Sequence, residues 1–94
     1  MAVAWKGALI APTEYLLREK TALFKSEFAD GVVWAMAGAR PNHNRVALGI
    51  LTALDTRLGT GRCDPFGSDQ RVRLGDGAAY FYPDVSVACD ARFD

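Results

Sequence analysis

Phe81-Tyr82-Pro83-Asp84-Val85-Ser86-Val87-Ala88-Cys89 is the stretch on which the reading of this chain turns. From Val85 onward it is apolar at nearly every position, and a strand of that kind wants a neighbour on both sides. Pro83 fixes the backbone just before Asp84, so a carboxylate stands at the mouth of the strand with little freedom to relax. A rigidly placed hard oxygen donor is what Mg²⁺ or Mn²⁺ takes when it works on a phosphodiester. The second carboxylate and the lysine that would complete such a site are expected on a neighbouring strand, and the sequence runs on only to Asp94. The expectation is therefore half of a cation site, with a buried-looking strand left near an edge.

Working outward, residues 62–66, 70–74 and 80–89 read as three strands separated by Gly67-Ser68-Asp69 and Gly75-Asp76-Gly77. Pro65 cannot donate to a central ladder, which pushes 62–66 to an edge or a bulge. Upstream, Ala47, Ile50, Leu51, Leu54 and Leu58 recur at the spacing of one helical face, predicting a long helix over 43–58 that Gly59-Thr60-Gly61 ends. Asp30-Gly31, set between apolar-alternating 24–28 and the apolar run 32–37, predicts a hairpin with a two-residue turn. A shorter helix is expected from Pro12 to Lys20, with Thr13 as capping residue, Glu14 in its first turn and Lys20 near its end. The predicted order is α-β-β-α-β-β-β, an α+β chain whose long helix covers one face of a mixed sheet. Residues 1–12 form an N-terminal arm and 13–94 the folded part.

With 94 residues, half of them hydrophobic, the chain makes one domain that buries roughly 60–65% of its unfolded surface. Lys+Arg and Asp+Glu balance at 11 each, which excludes a polybasic membrane anchor and a strongly basic nucleic-acid binder. Any DNA contact has to be local, and Arg40, Arg45, Arg57, Arg62, Arg71 and Arg73 bias the middle of the chain toward positive charge. Cys63 and Cys89 form no CxxC pair and read as reduced thiols of a cytoplasmic protein, the alternative being a disulfide between them if both sit on neighbouring strands. The apolar start is interrupted by Lys6 and Gly7 and does not read as a signal peptide, and no stretch approaches the roughly 20 apolar residues of a spanning helix. A single histidine, His43, rules out a His-His or Cys-His zinc set. There is no phosphate-loop glycine pattern and no GxSxG serine.

Three clusters, in order and spacing, carry a resemblance: Glu27-Phe28-Ala29-Asp30-Gly31-Val32-Val33-Trp34-Ala35-Met36-Ala37-Gly38, then Pro41-Asn42-His43-Asn44-Arg45-Val46-Ala47, then Phe66-Gly67-Ser68-Asp69-Gln70-Arg71-Val72-Arg73 leading into Tyr82-Pro83-Asp84-Val85. Together they resemble the Uma-two family, a restriction-endonuclease branch of the PD-(D/E)xK nuclease superfamily, over about residues 13 to 90. The resemblance implies a restriction-endonuclease-like core, incomplete here, and cleavage of DNA dependent on Mg²⁺ or Mn²⁺. It matches Asp84 to the metal-binding aspartate of the PD motif. The family's second metal glutamate and its lysine lie downstream of the part matched, so the 94 residues alone are expected to be inactive.

Each candidate residue has a plain alternative. Asp84 is a metal ligand, or a turn acid before a strand. Glu27 is an additional carboxylate of the site, or a solvent-facing strand residue, and Asp30 serves the turn. His43, at the start of the long helix, contacts a phosphate or assists a proton transfer, or else packs and caps the helix with Asn42 and Asn44. Arg71 and Arg73 flank Val72, share one strand face, and either clamp a DNA backbone or form a wet face. Set against the nuclease is a non-catalytic remnant that binds DNA, or that pairs through its last strand with another copy or with a missing C-terminal segment.

Overall fold

The computed structural model describes residues 3, 4 and 9–89, the first two by backbone alone. Of the arm expected over 1–12, residues 1, 2 and 5–8 lie outside the described residues. In chain order the elements are β1 (Val3–Ala4), α1 (Pro12–Thr21), β2 (Ser26–Ala29), β3 (Val32–Ala35), α2 (Pro41–Leu58), β4 (Asp64–Phe66), β5 (Val72–Leu74), β6 (Ala79–Phe81) and β7 (Ser86–Ala88). The α+β class is as expected, and every described strand pairing is antiparallel. The chain divides into two compact units, one of residues 1–38 and 71–81, the other of 39–70 and 82–94.

The first unit is built around the Asp30-Gly31 turn. Both residues take positive φ, 49° and 86°, the pair of left-handed conformations that lets a two-residue turn follow the twist of its strands. The predicted hairpin forms, with Phe28 opposite Val33 and Ala29 opposite Val32. Gly31 is fixed by crowding as well, because a Cβ there would stand 3.1 Å from the Leu9 Cβ. The hairpin sits inside a five-stranded sheet of order β1-β3-β2-β6-β5.

On one face of that sheet Tyr15 of α1, Phe28 of β2 and Tyr80 of β6 make the core, exposed by 1%, 1% and 7%. The rings of Tyr15 and Phe28 stack at 5.0 Å between centroids, and Tyr80 lies 5.3 Å from Tyr15 and 6.3 Å from Phe28. Such pairs add about 0.5–1.5 kcal/mol each beyond their buried area. Two side chains of α1, one turn apart, also secure the first residue of β2: the Tyr15 hydroxyl donates to the Ser26 carbonyl, and the Ser26 N–H donates to Glu19 Oε2 at 3.3 Å. Helix and strand are thus joined by polar contacts on one residue and by ring packing two residues on. The N-cap of α1 is Ala11 with Pro12 in the first turn and no side-chain cap, so Thr13 does not serve as the capping residue.

In the second unit α2 starts at Pro41, two residues earlier than its apolar spacing suggested, and ends at Gly59 as expected. Ala47, Leu51, Leu54 and Leu58 form its half-buried stripe, whereas Ile50, expected on the same face, is 49% exposed beside exposed Val46. Helix α2 packs on β4. Among the described residues β4 pairs with β7 alone, with Pro65 opposite Val87, so the proline occupies the edge position its missing N–H demands.

Two expectations are corrected here. The strand predicted over 80–89 is two strands, β6 in the five-stranded sheet and β7 in the two-stranded one. Pro83 and Asp84 interrupt the ladder between them, because proline has no N–H to give and the chain bends at Asp84 and Val85. As a result β7 is not buried on both sides, and Val87 is 44% exposed. The cysteines are also not reduced thiols: Cys63 and Cys89 are joined as a disulfide. The register Asp64 to Ala88, Pro65 to Val87, carried one step outward, sets the two cysteines face to face. A bridge across a sequence separation of 26 residues removes unfolded-chain entropy equivalent to about 3–4 kcal/mol.

The aromatic cluster makes a direct prediction. Phe28→Ala should lower the unfolding free energy in urea by about 3–5 kcal/mol, whereas Leu23→Ala should change it by under about 0.5 kcal/mol, since Leu23 is 93% exposed. Equal costs for the two substitutions would place the core elsewhere.

Candidate functional site

Asp84 and His43 come together although 41 residues of sequence (84 − 43) separate them. His43 is in the first turn of α2, and its Nε2 lies 2.9 Å from Asp84 Oδ2. The bend after Pro83 presents the carboxylate, and β7, paired to β4, fixes where that bend falls. The first turn of α2 has no acidic residue of its own. Asp84 supplies one from the far end of the unit, where the helix N-terminus favours negative charge. The capping role weighed for Asn42, His43 and Asn44 is not the one observed, because the N-cap is Arg40 and no side chain caps the helix. The His43 imidazole is turned to Asp84 instead.

Both groups are accessible, His43 at 49% and Asp84 at 61% of the side chain. Two open recesses meet at Asp84. One, of about 420 Å³, is lined by Asn42, His43, Val46, Ala47, Ile50, Asp84 and Val85. The other, of about 490 Å³, runs from Asn44, Ala47, Leu48 and Leu51 to the Phe66–Gln70 segment and Asp84. The carboxylate therefore stands between an apolar hollow and a more polar one that Ser68, Asp69 and Gln70 line.

The remaining predicted residues belong to the first unit. Glu27 is half-buried on β2 opposite Trp34, and strand alternation turns it to the face away from Phe28 and the core. Asp30 is accounted for by its turn conformation. Arg71 and Arg73 do share a strand face, and it is the face of Tyr80: Arg73 lies opposite Tyr80 in the ladder, and the Arg71 Cζ sits 5.8 Å from the Tyr80 ring centroid. Arg71 is half-buried and Arg73 exposed. Sequence reading missed the apolar lining of the first recess and ranked the disulfide below reduced thiols. For the disulfide a signal was present, since Cys63 and Cys89 sit at matching ends of two segments that pair.

Chemically, the pair offers one oxygen and one nitrogen donor. With Nε2–H donating to the carboxylate, neutral His43 keeps its lone pair on Nδ1 as an acceptor. Among the described residues no three His, Cys, Asp or Glu side chains converge to hold a metal ion. A cation that demands six oxygens at short distance is not satisfied by this pair alone.

Comparison with known proteins agrees with the sequence motifs. The model of the family described as "Uma2: Putative restriction endonuclease" matches residues 12–94. Two proteins of Synechocystis sp. (strain ATCC 27184 / PCC 6803 / Kazusa) are similar: "Uncharacterized protein sll1609", 37% identical over 90 residues, covering 96% of this chain and 51% of that protein, and "Uncharacterized protein slr1290", 35% identical over 83 residues, covering 88% and 44%. No solved structure matches the chain. The chain spans about half the length of the curated relatives it matches. With the family model covering nearly its whole length, and with the hairpin, the first turn of α2 and the Pro83-Asp84 bend in place, the chain belongs to the Uma2 restriction-endonuclease family.

Proposed function

We propose that residues 13–94 are the N-terminal part of a restriction-endonuclease-like domain that cleaves DNA with a divalent cation, Mg²⁺ or Mn²⁺, and that Asp84 is one of the ligands. The observation that carries this reading is the 2.9 Å contact of Asp84 with His43 at the mouth of two open recesses, in a chain of a nuclease family. When bound, the cation would position a water and offset charge growing on the phosphate. Asp84 would hold it, and His43 would orient that carboxylate and keep a proton at Nε2. Glu27 as a further carboxylate and Arg71 and Arg73 as contacts to the DNA backbone complete the reading. On this reading the pair seen among the described residues binds the cation weakly by itself, and the 94 residues alone are expected not to cleave DNA.

A second reading is favoured by one observation: β7 pairs with β4 alone among the described strands and leaves Val87 44% exposed. In it the chain is a non-catalytic module that pairs β7 with the same strand of another copy. Light scattering separates the two, since a stable dimer at micromolar concentration favours strand pairing and a monomer removes it.

Mn²⁺ titrated into the 15N-labelled protein should broaden amide signals around residues 42–44 and 83–85 first, and Asp84→Ala should abolish that broadening. Broadening that persists in Asp84→Ala, or that centres elsewhere, would overturn the ligand assignment. For the activity, this chain joined to the second half of the Synechocystis protein sll1609 should nick supercoiled plasmid with Mg²⁺ or Mn²⁺. Asp84→Ala in the same chimera should lower the rate by at least about a hundredfold, and nicking unaffected by the substitution would remove Asp84 from the site.

A further inference from the structure

We propose that the Cys63–Cys89 disulfide is a redox latch that keeps Asp84 on His43, so that a dithiol reductant opens the site. The two partners of the site reach each other through one shared support. His43 is carried by α2, which packs on β4, and Asp84 is carried by the bend leading into β7, which also pairs with β4. That pairing is three residues against three, in a sheet of only two strands. Two-stranded pairings of this length are marginal without further support. The disulfide stands one residue beyond the pairing, at the end of β7 opposite the Asp84 bend. With it in place β7 is bound at its far end covalently and Asp84 is held over α2. Without it the strand depends on a ladder of three residue pairs.

The bridge is also open to attack. Cys89 is exposed and Cys63 half-buried, and access decides which sulfur of a disulfide is taken. A thiolate of the dithiol attacks Cys89 Sγ, the Cys63–Cys89 bond breaks, and Cys63 leaves as a thiolate that takes a proton. The second thiol of the reductant then attacks the sulfur joined to Cys89, releasing the Cys89 thiol and a cyclic disulfide. Two electrons pass from the dithiol to the protein, and the two protons it gives up end on the cysteines.

The latch itself stands on geometry, and its consequence for cation binding rests on the proposed nuclease reading. The two are tested separately on the 94-residue protein. Iodoacetamide should label no cysteine of the air-oxidised protein and both after dithiothreitol. Amide hydrogen exchange at residues 86–88 and at 64 and 66 should then rise by about tenfold or more on reduction, with β2 and β3 unchanged. Cys63→Ser/Cys89→Ser should show the fast exchange with or without reductant, and Mn²⁺ broadening at residues 42–44 should weaken in parallel. Fast exchange confined to β4 and β7, with no Mn²⁺ effect in either state, supports the latch and removes the cation reading. Unchanged exchange on reduction overturns the latch even where Mn²⁺ binds. So does loss of protection throughout, which would make the bridge a general staple, and so does full labelling before reduction.

Discussion

The register of β4 against β7 is the constraint on which the candidate site depends. Asp64 lies opposite Ala88 and Phe66 opposite Ser86. A shift by one residue would turn every side chain of β7 to the other face and move Asp84 along β4 by a strand step of about 3.3 Å, beyond hydrogen-bond reach of His43. The same register brings the two cysteines level, so one alignment produces both the Asp84–His43 contact and the disulfide. Three pairs of residues are few to carry such a requirement. The bridge, one step beyond them, ties the same register covalently.

The first unit meets its needs by other means. Its core is small, three aromatic rings with Ile10, Leu16 and Val33 packed beside them, and its precision comes from polar contacts at Ser26. Tyr15 and Glu19 satisfy the carbonyl and the N–H of one residue from successive turns of α1. That fixes the helix along the strand as well as against it. Arg71, laid over Tyr80, closes the cluster with a cation over an aromatic face, an arrangement worth about 0.5–1 kcal/mol where it is partly exposed. It is the guanidinium itself, not the stem alone, that meets the ring.

What could be read in the sequence was what depends on neighbouring residues. Asp30-Gly31 names its own turn, Gly59 stops α2, and Pro65 chooses an edge, because each acts through φ or through a missing N–H. The pairing of Tyr80–Cys89 could not be read so simply. Its apolar run suggests one buried strand, and only the three-dimensional course shows that Pro83-Asp84 ends one ladder and lets the chain enter another sheet. The helix starts misled for a related reason. Thr13 and Asn42 are good capping residues by type, yet Pro12 and Pro41, whose fixed φ suits the first turn, put the caps at Ala11 and Arg40, two residues before them. The meeting of His43 with Asp84 and of Cys63 with Cys89 are long-range consequences of β4 and β7 finding each other, and nothing local in either segment encodes the partner.

His43 and Asp84 contribute little to holding the fold. With half or more of each side chain in water, solvent and salt screen their attraction, and exposed pairs of this kind are worth about 0–1 kcal/mol. A weak pair has a chemical advantage in an open recess. A carboxylate buried in a strong salt bridge would have to give up several kcal/mol before turning to another charge, whereas Asp84 gives up about 1 kcal/mol at most. Under the proposed cation reading, the imidazole would keep the carboxylate oriented and yield it cheaply to a more highly charged ion. The Pro83-Asp84 bend fixes the position of the carboxylate through the backbone, so breaking the contact with His43 costs little order. Rigidity supplied by the chain and a partner held only lightly are what the proposed ligand role of Asp84 would require.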